Sequence, residues 1–314
     1  MICSRPLAEV VNKEISWCWR PYLPFGEVTL LQGSTGMGKT TLLVKLMADL
    51  SRGILPPTMY RGRLQPSVTG SPIRSFYVSV ENAMDDTIAP LFDLYHGDRT
   101  YVDFQDESQN HFVLSGQEVE DCVAQTGARL IIVDPWQQFL SKQSTSNNDA
   151  LRAMICDVQA AAERTGVAVL FAGNFTKNGG DDLLKGIGGA ELMNTLRCIL
   201  TLRDDPNGDK SLKLLEPTKM SLLGKEKALV GIRQDDEMQL HFEDYEDVEE
   251  DETSIDPVIF LQRMLADGPV DSNEVRRRAN DEQIGMGVLY RNREKAGVLI
   301  SRQGDRSSIW SLVE

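Results

Sequence analysis

Short hydrophobic runs alternate with amphipathic stretches along most of the chain. In a run such as Leu130–Val133 every residue is apolar, as in a strand buried on both faces, whereas Asp149–Arg164 repeats its apolar positions with helical spacing. Strands that alternate with helices are typical of a mainly parallel sheet flanked by helices. The pattern predicts an α/β fold with strands Val28–Gln32, Ser75–Val80, Leu130–Val133, Ala168–Ala172, Cys198–Leu202 and Ser211–Leu215, and helices Thr40–Ser51, Asp85–Leu94, Gly116–Gln125 and Asp149–Arg164. Residues 61–75, rich in Pro, Gly and Ser, are predicted to form an exposed loop.

An acidic strip divides the chain. Residues 243–252 contain eight acidic side chains and no basic one. Like charges at this density repel one another and favour an extended linker. The sequence therefore predicts a large α/β domain over residues 1–242, a linker over 243–255 and a second domain over 256–314.

The second domain has a different pattern. Three helical stretches are followed by two short strands, with a Gly-Asp pair between the strands that indicates a hairpin. This order predicts a small winged-helix domain with helices Pro257–Ala266, Ser272–Asn280 and Gly287–Ala296 and strands Val298–Arg302 and Ser308–Leu312. Basic side chains on such helices contact DNA phosphates, although winged helices also dock proteins. The candidate nucleic-acid contacts here are Arg276, Arg277, Arg291 and Arg293.

Composition narrows the class of protein only slightly. The 314 residues are 41% hydrophobic and 25% charged, the balance of a globular protein. No apolar run reaches the roughly 18 residues that span a bilayer, the first residues lack an apolar signal core, and the five cysteines are scattered. These features predict a cytoplasmic protein without a membrane segment. The net charge of −14 does not exclude nucleic acid, because a large share of it lies in the acidic strip.

The strongest motif lies between the first predicted strand and helix. It has the form GxxxxGK[ST], in which glycines let backbone N–H groups turn inward at a helix N-terminus and surround phosphate. Lys39 is expected to reach the β- and γ-phosphates, and the Thr40 hydroxyl to ligate Mg²⁺. The motif predicts a nucleoside triphosphate site whose contacts come from Gly33, Ser34, Thr35, Gly36, Met37, Gly38, Lys39, Thr40 and Thr41.

Two further predicted strands end in carboxylates. Asp134 follows Leu130–Val133 and is expected to hold Mg²⁺ together with Thr40. Glu81 follows Phe76–Val80. The carboxyl ends of parallel strands gather at one edge of a sheet, so both acids are expected near Thr40. Glu81 would polarise the attacking water as a general base. Either acid could instead cap the helix that follows it.

The motif order resembles the RecA-like ATPases of the RepA type, a family that includes plasmid and phage replication helicases. The resemblance covers roughly residues 15–235 and rests on Trp19–Gly26, the P-loop, the VSVEN and LIIVDP strands and the AGNFTK segment at 172–177. It implies a ring, usually a hexamer, with ATP and Mg²⁺ bound between subunits. It also implies that Glu81 is the catalytic glutamate and Asp134 the Walker B acid.

The chain departs from this family at two points. Asn174 stands where relatives usually have a histidine that senses the γ-phosphate, and an amide can bind phosphate but cannot become charged. Relatives usually have a Lys-x-Arg pair that contacts the ATP of the neighbouring subunit. This chain has the lysine, Lys219, but Ser221 stands in place of the arginine. The resemblance favours Arg197 as the arginine finger in trans, with Arg203 as the alternative.

The family's pore loops correspond to two polar segments here, residues 141–149 and 178–189. Together with the AGNFTK segment they supply Lys142, Lys177 and Lys185 as candidate contacts to single-stranded DNA. The sequence thus favours an oligomeric, Mg²⁺-dependent ATPase acting on DNA, as a replicative helicase of a phage, plasmid or integrated element. An ATP-gated DNA-binding or regulatory protein without unwinding activity is the alternative, and a recombination filament is less favoured.

Overall fold

The computed structural model describes residues 6, 9, 14–60, 62–81, 83–105, 112–141, 148–174, 194–206, 208–222, 228–245, 256–282, 284, 286–303 and 307–312. The chain divides into two compact units, Met1–Tyr245 and Glu246–Glu314. None of the helices in these described ranges is long and apolar enough to cross a membrane.

The first unit alternates strands and helices. Its strands are β1 (Trp17–Trp19), β2 (Leu23–Pro24), β3 (Val28–Gly33), β4 (Ile54–Leu55), β5 (Thr58–Tyr60), β6 (Arg63–Gln65), β7 (Val68–Thr69), β8 (Ser75–Val78), β9 (Val102–Phe104), β10 (Leu130–Val133), β11 (Ala168–Asn174), β12 (Cys198–Asp204), β13 (Leu212–Met220), β14 (Val230–Gln234) and β15 (Leu240–Asp244). Its helices are α1 (Lys39–Ser51), α2 (Ala89–Leu94), α3 (Gly116–Thr126) and α4 (Asn148–Thr165). Single turns lie at Met84–Ile88, Arg99–Tyr101 and Trp136–Phe139.

A nine-stranded mixed sheet organises this unit. The strand order is β15-β14-β13-β12-β3-β11-β10-β8-β9. The strands from β12 to β9 in that order pair in parallel, whereas β12, β13, β14 and β15 pair antiparallel. The fold is therefore α/β, as predicted. The strand predicted at Ser211–Leu215 is the longer β13, and the antiparallel β14 and β15 are additions to the predicted sheet.

Both faces of the sheet are buried. Along β10, Leu130 and Ile132 pack into a core shared with α1 and α2, while Ile131 and Val133 pack into a second core shared with α3 and α4. Successive side chains of a strand point to opposite faces, so a strand between two helical layers must be apolar at every position. This explains the uninterrupted apolar runs in the sequence.

Several predicted elements need correction. The strand predicted to reach Val80 ends at Val78, and the helix predicted from Asp85 begins with a π-helical turn before α2. Residues 61–75 are not a plain loop, because β6 pairs with β5 and β7 pairs with β4. These strands are two or three residues long and largely exposed, so they lack the hydrophobic alternation by which strands are recognised.

The second unit combines three helices with a small antiparallel sheet. Its elements are α5 (Pro257–Leu265), β16 (Val270–Asp271), α6 (Ser272–Asp281), α7 (Met286–Asn292), β17 (Val298–Gln303) and β18 (Ser307–Leu312). The sheet order is β16-β18-β17, and Trp310 lies fully buried among the helices. The third helix is shorter than predicted: it ends at Asn292, and a turn follows that contains Gly297 at φ 70°. The two-residue β16 was not predicted.

Stability of this second unit depends on its single core. Leu289 of α7 is fully buried, whereas Leu299 of β17 is 58% exposed. We expect Leu289→Ala to lower the free energy of unfolding by about 2–5 kcal/mol and the matched Leu299→Ala to change it by about 0.5 kcal/mol or less. Hydrogen exchange of the β17 and β18 amides measures both variants. Equal loss of protection in the two variants would contradict this assignment of the core.

Candidate nucleotide site

Parallel strands bring the predicted site residues to one edge of the sheet. The P-loop follows β3, Glu81 follows β8, Asp134 follows β10 and Asn174 ends β11. These four strands are neighbours in the sheet, in the order β3-β11-β10-β8. Their functional side chains therefore lie together at the same carboxyl edge.

The P-loop has the backbone geometry of an anion site. Gly36 and Gly38 have φ values of 84° and 85°, in the left-handed region that glycine adopts without strain. Helix α1 begins directly after Gly38, which provides no side-chain cap, so N–H groups of the first turn remain available to a phosphate. A Cβ at Gly33 would lie 2.5 Å from the carbonyl oxygen of Leu202, so the loop must start with glycine.

Lys39 is held inside this loop by three hydrogen bonds. Its Nζ donates to the carbonyl oxygens of Gly33 at 3.0 Å and Ser34 at 2.9 Å and to Oδ1 of Asn174 at 2.6 Å. Burial lowers the pKa of the Lys39 ammonium, and the charges of Asp134 and Glu81 oppose that shift. All three donors of the ammonium are therefore used, and a phosphate must take over some of these bonds to recruit it.

Thr40 and Asp134 bring together two oxygen donors of the kind that bind divalent cations. The Thr40 hydroxyl donates to Oδ2 of Asp134 at 2.8 Å, and the Tyr77 hydroxyl donates to the same oxygen at 3.2 Å. Burial raises the pKa of Asp134, opposed by both hydrogen bonds and by the charge of Lys39. Hard oxygen donors beside a phosphate loop suit Mg²⁺. No cluster of three His, Cys, Asp or Glu side chains that could hold another metal occurs among the described residues.

A cavity adjoins the P-loop on the side of the antiparallel strands. It has a volume of about 200 Å³ and a lining of both apolar and polar side chains. Met37 and Thr41 contribute to it from the P-loop and the start of α1, and the strands and their connections contribute Leu202, Lys210, Lys213, Ile232, Gln234 and Leu240. This position and character suit the ribose and base of a nucleotide whose phosphates lie in the loop. The sequence analysis named Met37 and Thr41 as nucleotide contacts, but it missed Ile232, Gln234 and Leu240 because β14 and β15 were not predicted.

Glu81 lies beyond the end of β8 and is exposed. Its Oε1 accepts a hydrogen bond from Nε2 of Gln138 at 2.8 Å. Gln138 belongs to the turn that follows Asp134, so the two acidic strand ends are connected through one side chain. Nothing in the sequence pattern singled out Gln138.

Arg197 and Lys219 lie at the opposite edge of the sheet. Arg197 precedes β12 and donates to Glu27 at 2.6 Å, at the amino end of β3, and Lys219 pairs with Ile199 near the start of β12. The six residues of β3 separate this edge from the P-loop by about 17 Å. Neither side chain can serve the phosphate site of its own chain. Arg203 lies at the carboxyl end of β12 and donates to Glu216 at 2.7 Å.

The predicted nucleic-acid contacts are only partly described. Lys142, Lys177 and Lys185 lie outside the described residues, and Arg291 lies in α7. Arg277 and Arg278 of α6 both donate to Glu274, and their hydrogen bonds lower the pKa of that carboxyl to about 2. Arg276 is exposed on the same helix, and Arg293 lies 3.9 Å from Glu294. Part of the predicted basic surface is thus already neutralised.

A phosphate loop, a buried lysine and a Thr–Asp oxygen pair at the carboxyl edge of a parallel sheet define a P-loop nucleotide-binding protein. A family model described as an AAA domain matches residues 8–180, more than half of the chain, and the chain belongs to this family. Its members are nucleotide-binding ATPases, which agrees with the geometry of the site. Comparison with curated proteins found no match.

Removal of the Lys39 ammonium tests the phosphate site. We expect Lys39→Met to weaken ATP binding roughly 100-fold, because a buried charged contact to phosphate is lost. Lys45 lies on the same helix, but it pairs with Asp49, so Lys45→Met should bind ATP as the parent does. Equilibrium binding of a fluorescent ATP analogue to both variants measures the difference. Similar affinities for the two variants would show that the phosphates bind elsewhere.

Proposed function

We propose that this protein is a Mg²⁺-dependent ATPase that assembles into a hexameric ring and acts on DNA. Within that class we propose a replicative helicase of the RepA type, from a phage, plasmid or integrated element. The convergence of Lys39, Thr40, Asp134, Glu81 and Asn174 at one sheet edge carries the ATPase part of the proposal, and the ring and the helicase activity rest on the resemblance of the motif order to ATPases of the RepA type.

Each of these side chains has a defined task in ATP hydrolysis. The P-loop amides and Lys39 bind the β- and γ-phosphates, and Thr40 and Asp134 hold Mg²⁺, which neutralises phosphate charge when bound. Glu81, a carboxylate outside the Thr40–Asp134 pair, orients water for attack on the γ-phosphate and accepts its proton. The Asn174 amide accepts a hydrogen bond from Lys39 through Oδ1, and its Nδ2 would donate to the γ-phosphate.

The proposed ring would bring basic side chains of one copy to the nucleotide of the next copy. Arg197 and Lys219 lie far from their own P-loop, and we infer that they act on the nucleotide of a neighbouring copy. Arg197 is half-exposed, but its bond to Glu27 would have to open for it to act as the arginine finger in trans. Arg203 is the alternative finger.

DNA binding is proposed for the segments that leave the catalytic edge. The chain runs from the turn after β10 into residues 142–147, and from Asn174 into residues 175–193. Lys142, Lys177 and Lys185 in these segments would contact the backbone of a single strand in the pore. Six copies would multiply this modest charge, and binding would weaken steeply with salt.

ATP hydrolysis with and without single-stranded DNA tests the proposal. We expect DNA to raise kcat several-fold, and Glu81→Gln to lower turnover about 100- to 10,000-fold with and without DNA, because the substituted amide cannot accept a proton from water. Glu120→Gln is the matched control, since Glu120 forms an exposed ion pair with Arg164 away from the site. Hydrolysis that ignores DNA would contradict a DNA-driven motor.

An ATP-gated DNA-binding protein without unwinding activity is the second candidate. Two residues favour it. Asn174 cannot become charged as a histidine can, and Ser221 replaces the arginine of the Lys-x-Arg pair. Displacement of a labelled strand from a forked duplex separates the two candidates.

The topology of the second unit supports a winged-helix domain. Its order is α5-β16-α6-α7-β17-β18, and β16 pairs with β18, which closes the three-stranded sheet against the helices. In such domains helices carry the basic side chains to DNA. Here Glu274 competes for two of these side chains, Arg277 and Arg278.

Glu274 should therefore restrain DNA binding. We expect Glu274→Gln to release Arg278 and to leave Arg277 paired with Asp281 alone, which should raise the affinity of the full chain for duplex DNA several-fold and steepen its salt dependence by about one ion. Asp267→Asn removes one negative charge from the same unit without freeing an arginine and controls for bulk charge. Fluorescence anisotropy over a salt series measures both. Equal effects of the two variants would contradict a specific role for Glu274.

A further inference from the structure

The turn Trp136–Phe139, which follows Asp134, is anchored firmly to the core. Trp136 and Phe139 are buried, and the Trp136 ring stacks on Phe171 with centroids 5.5 Å apart and planes at 10°. The Phe139 ring meets Phe112 edge to face at 5.7 Å. Two aromatic anchors fix the turn, so the two side chains between them have defined positions.

Those two side chains, Gln137 and Gln138, contact the two strands on either side of β10, which are β11 and β8. Gln138 reaches toward the end of β8 and donates Nε2 to Oε1 of Glu81 at 2.8 Å. Gln137 packs against Gly173 at the end of β11, where a Cβ would lie 2.7 Å from its Nε2. Gly173 directly precedes Asn174, which accepts the bond from Lys39. The turn thus touches both the general base and the strand that ends in the lysine's partner.

Glu81 needs such support. It follows a strand that ends at Val78, and its side chain is exposed, so neither the strand nor burial fixes its carboxylate. Gln138 provides the one hydrogen bond to this carboxylate among the described residues. An amide that donates to one carboxylate oxygen leaves the other oxygen free and restricts rotation of the group.

We propose that Gln138 is a positioning residue for ATP hydrolysis, which holds the Glu81 carboxylate in the orientation required to accept a proton from the attacking water. The inference rests on the proposed role of Glu81 as general base. Gln138 acts through Glu81, so its contribution concerns the chemical step and leaves nucleotide binding unchanged.

Steady-state kinetics of the full chain test the proposal. We expect Gln138→Leu to lower kcat about 10- to 100-fold while KM and the ATP dissociation constant stay within twofold. Gln138→Asn keeps the amide on a shorter side chain and should recover part of the loss. The matched control is Gln117→Leu on α3, which removes an exposed glutamine that donates to Asp121 and should leave kcat unchanged.

A double-mutant cycle separates positioning from structural damage. In a Glu81→Gln background, Gln138→Leu should have no further effect on residual turnover, because its partner is already gone. A parental kcat for Gln138→Leu would overturn the inference, as would a further loss in the Glu81→Gln background. If the parent hydrolyses ATP without responding to DNA, the proposed action on DNA is contradicted, while the kinetics of the Gln138 variants still test the positioning role. If the parent hydrolyses no ATP, both proposals fail.

Discussion

A buried ammonium group sets the architecture of this site. The charge of Lys39 is tolerable in the protein interior only because three oxygen acceptors surround it. Those acceptors come from the P-loop and from Asn174, which lies opposite Gly33 in the parallel pairing of β11 with β3. The register of two neighbouring strands therefore determines whether the lysine has its partners. Phosphate can recruit the lysine by replacing bonds of similar strength, so the site is prepared for an anion without a large rearrangement.

The parts that the sequence predicted are those with a local signature. The P-loop and the doubly buried strands β3, β10 and β11 appear within two residues of their predicted bounds, because apolar runs and glycine spacing depend only on near neighbours. The antiparallel strands β14 and β15, and the cavity that they line, depend on pairing between distant segments. The Gln138–Glu81 bond joins exposed side chains 57 residues apart, which no local pattern encodes. The Glu274–Arg278 pair, by contrast, has helical i, i+4 spacing and could have been recognised.

The two edges of the sheet differ in chemistry, and this difference bears on the proposed ring. The carboxyl edge holds Lys39, Thr40, Asp134 and Glu81, while Arg197 and Lys219 lie at the amino edge, away from the P-loop of their own chain. In the proposed ring these two side chains act on the nucleotide of a neighbouring copy, whereas a monomeric switch would not use them. The turn after Asp134 contacts both Glu81, through Gln138, and the end of β11 beside Lys39, through Gln137, so one short segment adjoins two parts of the site.

A crystal structure of the full chain with Mg²⁺ and a non-hydrolysable ATP analogue tests the central claim most directly. The account predicts that Lys39 Nζ exchanges its bonds to Gly33 and Ser34 for β- and γ-phosphate oxygens, with Mg²⁺ at Thr40 and Asp134 and the base in the cavity beside β14. A nucleotide bound elsewhere, or one in the loop with Lys39 still on both carbonyl oxygens, would contradict it.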